Sequence, residues 1–432
     1  MNYIYTTILN MNIRSYFLKQ VPIFVSAFLF CLTFFPLGSS ICFYLLVLAW
    51  LVNGNIKQKG QHVLRQIAFA LPILFYLLHV LSLFYSSNLH FAFFDLGEKI
   101  SFLLMPLVLT SFTFTNRDIQ RYKQFFIAGV TVTAAGCILA ASYQYYLNGE
   151  FSTFFYVRLS RFLHPTYFTI YLNLSLLFLL ENFFSRTYQT SRYHFLHYLI
   201  IPFTIIFMIM LASRTASIVA LISVLIYLCL TLVTRKMNSR EKIFSVLILI
   251  MISTFQFITL KIFNRFSAVT NVIESASETP TGNNNNVSTG PGVRIYLWRN
   301  ALELIKENVM WGVGVGDVKD ELMRVYAKNN YQNGIDNRLN PHNQYLQTMI
   351  ALGLPGLFAL LLLMVIPLWK SLRKRDWICF LFMMIISMNC MTESILERQS
   401  GIIFFTFFYV LLINFPTGRE LSPGQKLINI ND

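Results

Sequence analysis

His342 stands in "NPHNQYLQTMIALGLPGLFALL", residues 340–361, just ahead of a long apolar run. A neutral imidazole, with a pKa near 6.5, accepts a proton at physiological pH. His342 is therefore a candidate general base, the alternative being a hydrogen-bonding group at a helix entry. Several arginines lie where positive charge is unexpected. Arg158 and Arg161 are three apart in "FYVRLSRFLHPTYF", which puts them on one face if that stretch is helical. Arg214, in "MLASRTASIV", falls in a turn so tight that its guanidinium sits near two helix ends. Arg294 opens "VRIYLWRNALELIKENV", at the helix end where the dipole disfavours a cation. A guanidinium near hydrocarbon is costly unless it is paired or faces a wet cavity. Snorkelling to lipid phosphate serves any one of them. For the set, the nearby loops supply too few acids, and an anionic ligand fits better. The chemistry is an anion clamp beside a base.

Other groups have two readings each. His164 precedes Pro165 at another helix entry. Lys99 pairs with its neighbour Glu98 or lines the same cavity as the arginines. Glu393, Glu397 and Arg398 read as a local structural charge cluster. Asp317 reads as the cap of a short helix, with Asp320 in its third position. "GVGVGD" lacks the surrounding βαβ unit of a dinucleotide site. No Walker, zincin or Asp-x-Asp pattern is present, so neither a metal nor a cofactor is expected. All six cysteines (31, 42, 137, 229, 379 and 390) fall inside apolar runs, without disulfide or metal spacing.

The elements that must position these residues are membrane helices. Of 432 residues, 56% are hydrophobic and 12% charged, about half the charge of a soluble domain. Apolar runs lie near 20–36, 38–53, 67–85, 93–113, 124–147, 166–184, 195–212, 214–234, 243–262, 344–369, 376–391 and 400–415. The expectation is an all-α, polytopic bundle of about 12 transmembrane helices, one integral membrane domain over residues 1–432. The first run joins directly to the next and reads as a helix, not a removed leader. With both termini cytoplasmic, 20 of the 34 Lys and Arg residues fall on the inner side. The net charge of +15 is thus a membrane signature, and no nucleic-acid partner is implied. Residues 263–343 then form a large, partly helical outer loop between helices nine and ten. Within it, 275–292 is polar and low in complexity, and is expected to be mobile. Ile295, Trp298, Leu302, Ile305 and Val309 share the expected buried face of the helix that follows.

The order and spacing of the tight-turn Arg214, "VRIYLWRNALELI", "WGVGVGD" and "NPHNQYLQTMIALGLPGL" resemble the bacterial O-antigen ligase family and the related O-antigen polymerases. The resemblance implies a metal-independent, inverting glycosyltransferase at the outer face of the bacterial inner membrane, its active site in the periplasm. The donor it implies is a glycan on undecaprenyl diphosphate. The acceptor is lipid A–core for a ligase, or another lipid-linked glycan for a polymerase. His342 matches the family's essential histidine, and Arg214 and Arg294 its diphosphate-site arginines. Arg158, Arg161, His164 and Lys99 are substrate-binding candidates by charge and location alone. A transporter or flippase of an anionic lipid-linked sugar is the rival class. It calls for inverted repeats or Gly/Pro-broken helices, and the sequence displays no paired interruptions.

Overall fold

A computed structural model describes residues 14–185, 194–235, 237–262 and 291–415. The low-complexity stretch before Pro291 and basic residues 186, 192, 236, 419 and 426 lie outside them. The described chain is helical throughout its regular structure. In order come α1 (Val21–Cys31), α2 (Pro36–Asn53), α3 (Ile56–Arg65), α4 (Ile67–Leu81), α5 (Leu89–Lys99), α6 (Ser101–Leu109) and α7 (Asn116–Asn148). Then follow α8 (Tyr156–Leu159), α9 (Pro165–Phe184), α10 (His197–Met210), α11 (Arg214–Thr234) and α12 (Ser239–Ile262). The segment between α12 and α16, here called the outer segment after its expected position, supplies α13 (Pro291–Glu307), α14 (Val318–Lys328) and α15 (Gln332–Asp336), before α16 (Gln344–Lys374), α17 (Trp377–Cys390) and α18 (Gln399–Asn414).

Every apolar run of the sequence falls on one or two of these helices. Among the described residues, six helical stretches are long and apolar enough to cross a membrane: Pro36–Asn53, Ile67–Tyr85, Asn116–Asn148, Pro165–Phe184, Arg214–Thr234 and Gln344–Lys374. Shorter apolar helices, α1, α10, α17 and α18, pack among them. The fourth run is divided at Ile100 into α5 and α6.

Two helices form the centre. Nearly all of α9 is buried, and so is α18 down to Leu412. A helix apolar on all sides belongs inside a bundle. Tyr171 of α9 stacks on Phe404 of α18 with ring centroids 4.1 Å apart, and Phe126 of α7 joins the same cluster. The charges drawn inside are paired, since an unpaired ion there is very costly: Lys123 bonds Glu181 at 2.6 Å, across α7 and α9.

The outer segment is held to the bundle by backbone. In α16, Pro355 has no N–H to offer the carbonyl of Ala351, and Gly353 takes φ +63°. The Leu354 N–H turns instead to the carbonyl of Val309, at 3.0 Å. The orphaned carbonyls of Ile350 and Ala351 then accept the N–H groups of Val313 (2.8 Å) and Gly314 (3.0 Å). The glycines of "WGVGVGD" permit this approach. A Cβ on Gly312 would lie 2.5 Å from the Ile350 oxygen, and one on Gly316 2.3 Å from the Asn88 oxygen.

Two expectations need correction. The buried stripe of α13 runs through Val293, Leu297, Ala301 and Leu304, about one residue round from the expected face, and Leu302 is exposed. The helix is wedged between α16 and α14, which turns its apolar edge toward both. Asp317 makes no capping bond to α14. Its carboxylate accepts the N–H groups of Ser87 and Asn88, at 2.6 and 2.7 Å, and Asp320 accepts from the Asn88 amide at 3.1 Å. Both acids dock the outer segment to the start of α5.

Candidate active site

Residues 340–343 explain why a histidine stands at this helix entry. Asn343 caps α16, its side-chain oxygen accepting the N–H groups of Tyr345 and Leu346 at 2.9 and 3.1 Å. Asn340 accepts the His342 N–H at 3.0 Å, forming a local turn. Between them His342 is held at φ +46°, in the left-handed region that few side-chain-bearing residues occupy. Trp298 on α13 fixes the preceding residue, its indole N–H donating to the Pro341 carbonyl at 3.0 Å. Arg294 is one turn before Trp298, on the same side of α13. Base and arginine thus ride on one rigid assembly.

Against this assembly lies the segment between α17 and α18. His342 Nδ1 is 3.3 Å from Glu393 Oε1, with side-chain exposures of 34% and 10%. Burial alone would raise the Glu393 carboxyl. The hydrogen bond and charge of His342, with His164 and Arg294, outweigh burial and hold it below the usual carboxylate range. An ionised carboxylate only accepts, so the proton of neutral His342 resides on Nδ1. Nε2 is left with a free lone pair. That is the tautomer a general base needs.

His164 is the N-cap residue of α9 and half-buried. Burial, with the charges of Arg398 and His342, lowers its pKa against the pull of Glu393. Its buried Nδ1 has no hydrogen-bond partner. His164 is thus a neutral neighbour of the Glu393 carboxylate. Arg214 begins α11 and is half-buried; the adjacent Ser213 hydroxyl bonds Thr166 Oγ1 of α9 at 3.4 Å. That contact brings the tight turn to the same end of α9 as His164. Tyr167, one turn into α9, donates to the Ser394 carbonyl at 3.2 Å. His342, Arg294 and His164 therefore converge on Glu393, and the turn of Arg214 lies at the same end of α9.

Lys99 is fully buried and bonded to Asp95 at 2.5 Å and to Glu397 at 3.0 Å. Its partners are these two acids, not Glu98, whose carboxylate accepts the Gln399 N–H at 2.9 Å. Gln344 adds a second brace, donating to Glu397 at 2.9 Å and accepting the Leu396 N–H at 2.8 Å. Two carboxylates already balance Lys99, which ties down the segment that carries Glu393. Arg158 is exposed, with its guanidinium on Glu150 and Ser152 of its own loop. Arg161 is exposed as well. Neither bonds His342 or Glu393.

Sequence reasoning assigned Glu393 and Arg398 to structure. Arg398 is exposed, and its charge acts on His164. The available signal was an acid–base cluster in the short segment between the last two apolar runs, which has no reason to be there for lipid. Among the described residues, no three His, Cys, Asp or Glu side chains gather to hold a metal ion.

Comparison with known proteins bears on the same region. A family described as O-antigen ligase matches residues 199–361, from α10 through the outer segment to the middle of α16. That span, similar to the O-antigen ligase family, holds Arg214, Arg294 and His342. The chain is also 33% identical over 132 residues to an uncharacterized protein of Haemophilus influenzae. The match covers 28% of this chain and 33% of that protein.

Proposed function

We propose that the chain transfers a glycan from undecaprenyl diphosphate to an acceptor hydroxyl at the periplasmic face of the inner membrane. The observation that carries this reading is the contact between His342 Nδ1 and Glu393, which leaves Nε2 as proton acceptor. The acceptor oxygen attacks the anomeric carbon as the bond from that carbon to the phosphate oxygen breaks. The hydroxyl proton passes to Nε2, and Glu393 stabilises the resulting imidazolium. The configuration inverts, and undecaprenyl diphosphate departs. A diphosphate is a good leaving group and needs no strong acid. Guanidinium groups at Arg214 and Arg294 neutralise its growing charge, each worth about 3 kcal/mol in the transition state.

In the ligase form of the reaction the acceptor is lipid A–core; a lipid-linked glycan acceptor makes the enzyme a polymerase. A broken helix of the kind transporters use does occur, at Gly353. Its freed carbonyls are occupied by Val313 and Gly314, however, and are not open to an ion or a sugar. This favours an enzyme over a carrier. The test is purified protein in liposomes, with a glycan on undecaprenyl diphosphate and lipid A–core as acceptor. Glycan on lipid A–core is the expected product. Longer glycan still on its carrier identifies a polymerase, and movement of intact donor across the bilayer without transfer overturns the enzyme reading.

A further inference from the structure

On α16, Leu354, Phe358, Leu361, Val365 and Trp369 are exposed and follow one another at three or four residues, which puts them on one face. On a helix long and apolar enough to cross a membrane, such a face meets lipid. Arg373 and Lys374 close the helix, and the Arg373 guanidinium lies 4.5 Å over the Trp369 ring, an aromatic and a cation together as at a membrane–water boundary. From Arg373 to Leu354 the helix runs about 28 Å, close to the roughly 30 Å of a bilayer's hydrocarbon. Leu354 therefore stands at the opposite boundary. The antiparallel α4 gives the same level. From Ile67, just past Arg65, the rise through α4 and the 3-10 turn Ser82–Tyr85 to Phe84 is about 27 Å. Phe84 is 87% exposed. Both helices meet the outer segment there. Tyr85 donates to the Trp311 carbonyl at 2.9 Å, and the Leu354 N–H donates to Val309 at 3.0 Å. The side chains this contact presents are Met310 and Trp311, 59% and 64% exposed. From Asn308 to Gly316 the chain carries no charge.

We propose that Met310 and Trp311, with Phe84 at the same level, are inserted into the bilayer at its hydrocarbon boundary, so that the outer segment is seated on lipid as well as on the bundle. Trp suits that boundary, having an apolar ring for the chains and an N–H for the headgroups. Depth selects lipid over water or a second copy of the chain. A contact made in water, or between proteins, has no reason to fall at the one height where two separate helices leave the hydrocarbon. The patch also continues the lipid-facing stripe of α16 without a break at Leu354. Because backbone joins the knuckle to α16, its depth sets the height of α13 over the bilayer, and with it that of Arg294.

The experiment uses the full chain in nanodiscs of phosphatidylcholine brominated either just below the headgroup or near the chain end. The signal of Trp311 is the difference in fluorescence between wild type and Trp311→Phe. That difference is expected to be quenched more by the shallow bromines than by the deep ones or by aqueous acrylamide. Met310→Asp puts a charge at the boundary and is expected to lower the shallow quenching about twofold, as the knuckle is pushed outward. Quenching by acrylamide alone places Trp311 in water and overturns the proposal. Protection from both quenchers shows a protein surface over Trp311, as a second copy would supply, and overturns it too. Unchanged shallow quenching in a folded Met310→Asp variant does the same. If Met310→Asp does not fold, the comparison of wild type with Trp311→Phe decides alone. No glycan enters the assay, so its result is independent of the transfer reaction.

Discussion

Replacing Glu393 by Gln separates a base held by a carboxylate from a histidine that merely caps a loop. The substitution keeps the shape of the side chain and removes its charge. A hydrogen bond to a charged group contributes about 1.5–3 kcal/mol. The Glu393 side chain is 10% exposed but that of His342 is 34% exposed, so water screens part of the effect. The lower part of the range, about 1.5–2 kcal/mol, applies, and kcat is expected to fall about 10- to 30-fold. KM for the lipid-linked donor should change little, because Glu393 faces the base rather than the diphosphate. The assay is initial-rate transfer from pH 5 to 8.

The same carboxyl makes a statement about stability. Its folded pKa lies below the ordinary carboxylate value. Its contribution is therefore complete above the unfolded value, about 4.3, and is lost as pH falls through the folded value. The difference in thermal stability between wild type and Glu393→Gln should shrink as pH falls below about 4. Equal kcat in the two proteins across the whole range would falsify the role given to Glu393.

His342→Asn retains a residue that tolerates φ +46°, and it should stay folded while losing about 10²- to 10⁴-fold in turnover; substantial transfer activity would remove His342 as the base. Arg294→Ala should cut kcat by about 10²-fold, whereas Arg158→Ala, at an exposed residue paired in its own loop, should stay within about threefold of wild type; the reverse order, measured on the same donor, contradicts the site. Gly353→Ala puts a Cβ 2.4 Å from the Met310 oxygen at φ +63°. The left-handed backbone alone costs about 1–2 kcal/mol, so thermal unfolding in detergent should occur several degrees lower, and an unchanged midpoint argues against the backbone clasp.

The apolar runs were legible because a membrane helix announces itself by composition over about 20 residues, and each of them is helical here. His342, Arg294 and Arg214 were legible because each breaks a local rule, of helix entry, dipole or charge sidedness. Glu393 was not. Its role depends on α17 and α18 delivering it to His342, 51 residues away in the chain, and no periodicity reports such a meeting. Lys99 was paired in sequence with its neighbour Glu98, yet adjacent helical residues point apart, and its second acid, Glu397, comes from 298 positions away. Asp317 looked like a cap because the pattern was local, while the N–H groups it satisfies belong to another segment. The face of α13 was misread because the helix is buried on two sides, and a single-stripe reading averages them.

The use made of the "WGVGVGD" glycines clarifies how the site is assembled. The clasp between 309–314 and 350–354 is made by backbone groups, so it fixes α13 relative to α16 whatever side chains surround it. Trp298 then transfers that fixed relation to Pro341, and so to the turn bearing His342. The other half of the site is set independently: the Ser213–Thr166 contact anchors the arginine turn to α9, and Lys99 and Gln344 anchor the 391–398 segment through Glu397 and Leu396. Gln344, two residues after His342, belongs to both halves. The base and its carboxylate are therefore registered by a short link through the buried Gln344, and Arg294 is registered to the base by a single indole N–H. A weakened clasp should disturb the spacing of arginine and base together relative to the bundle, whereas loss of the Trp298 bond should disturb arginine against base alone.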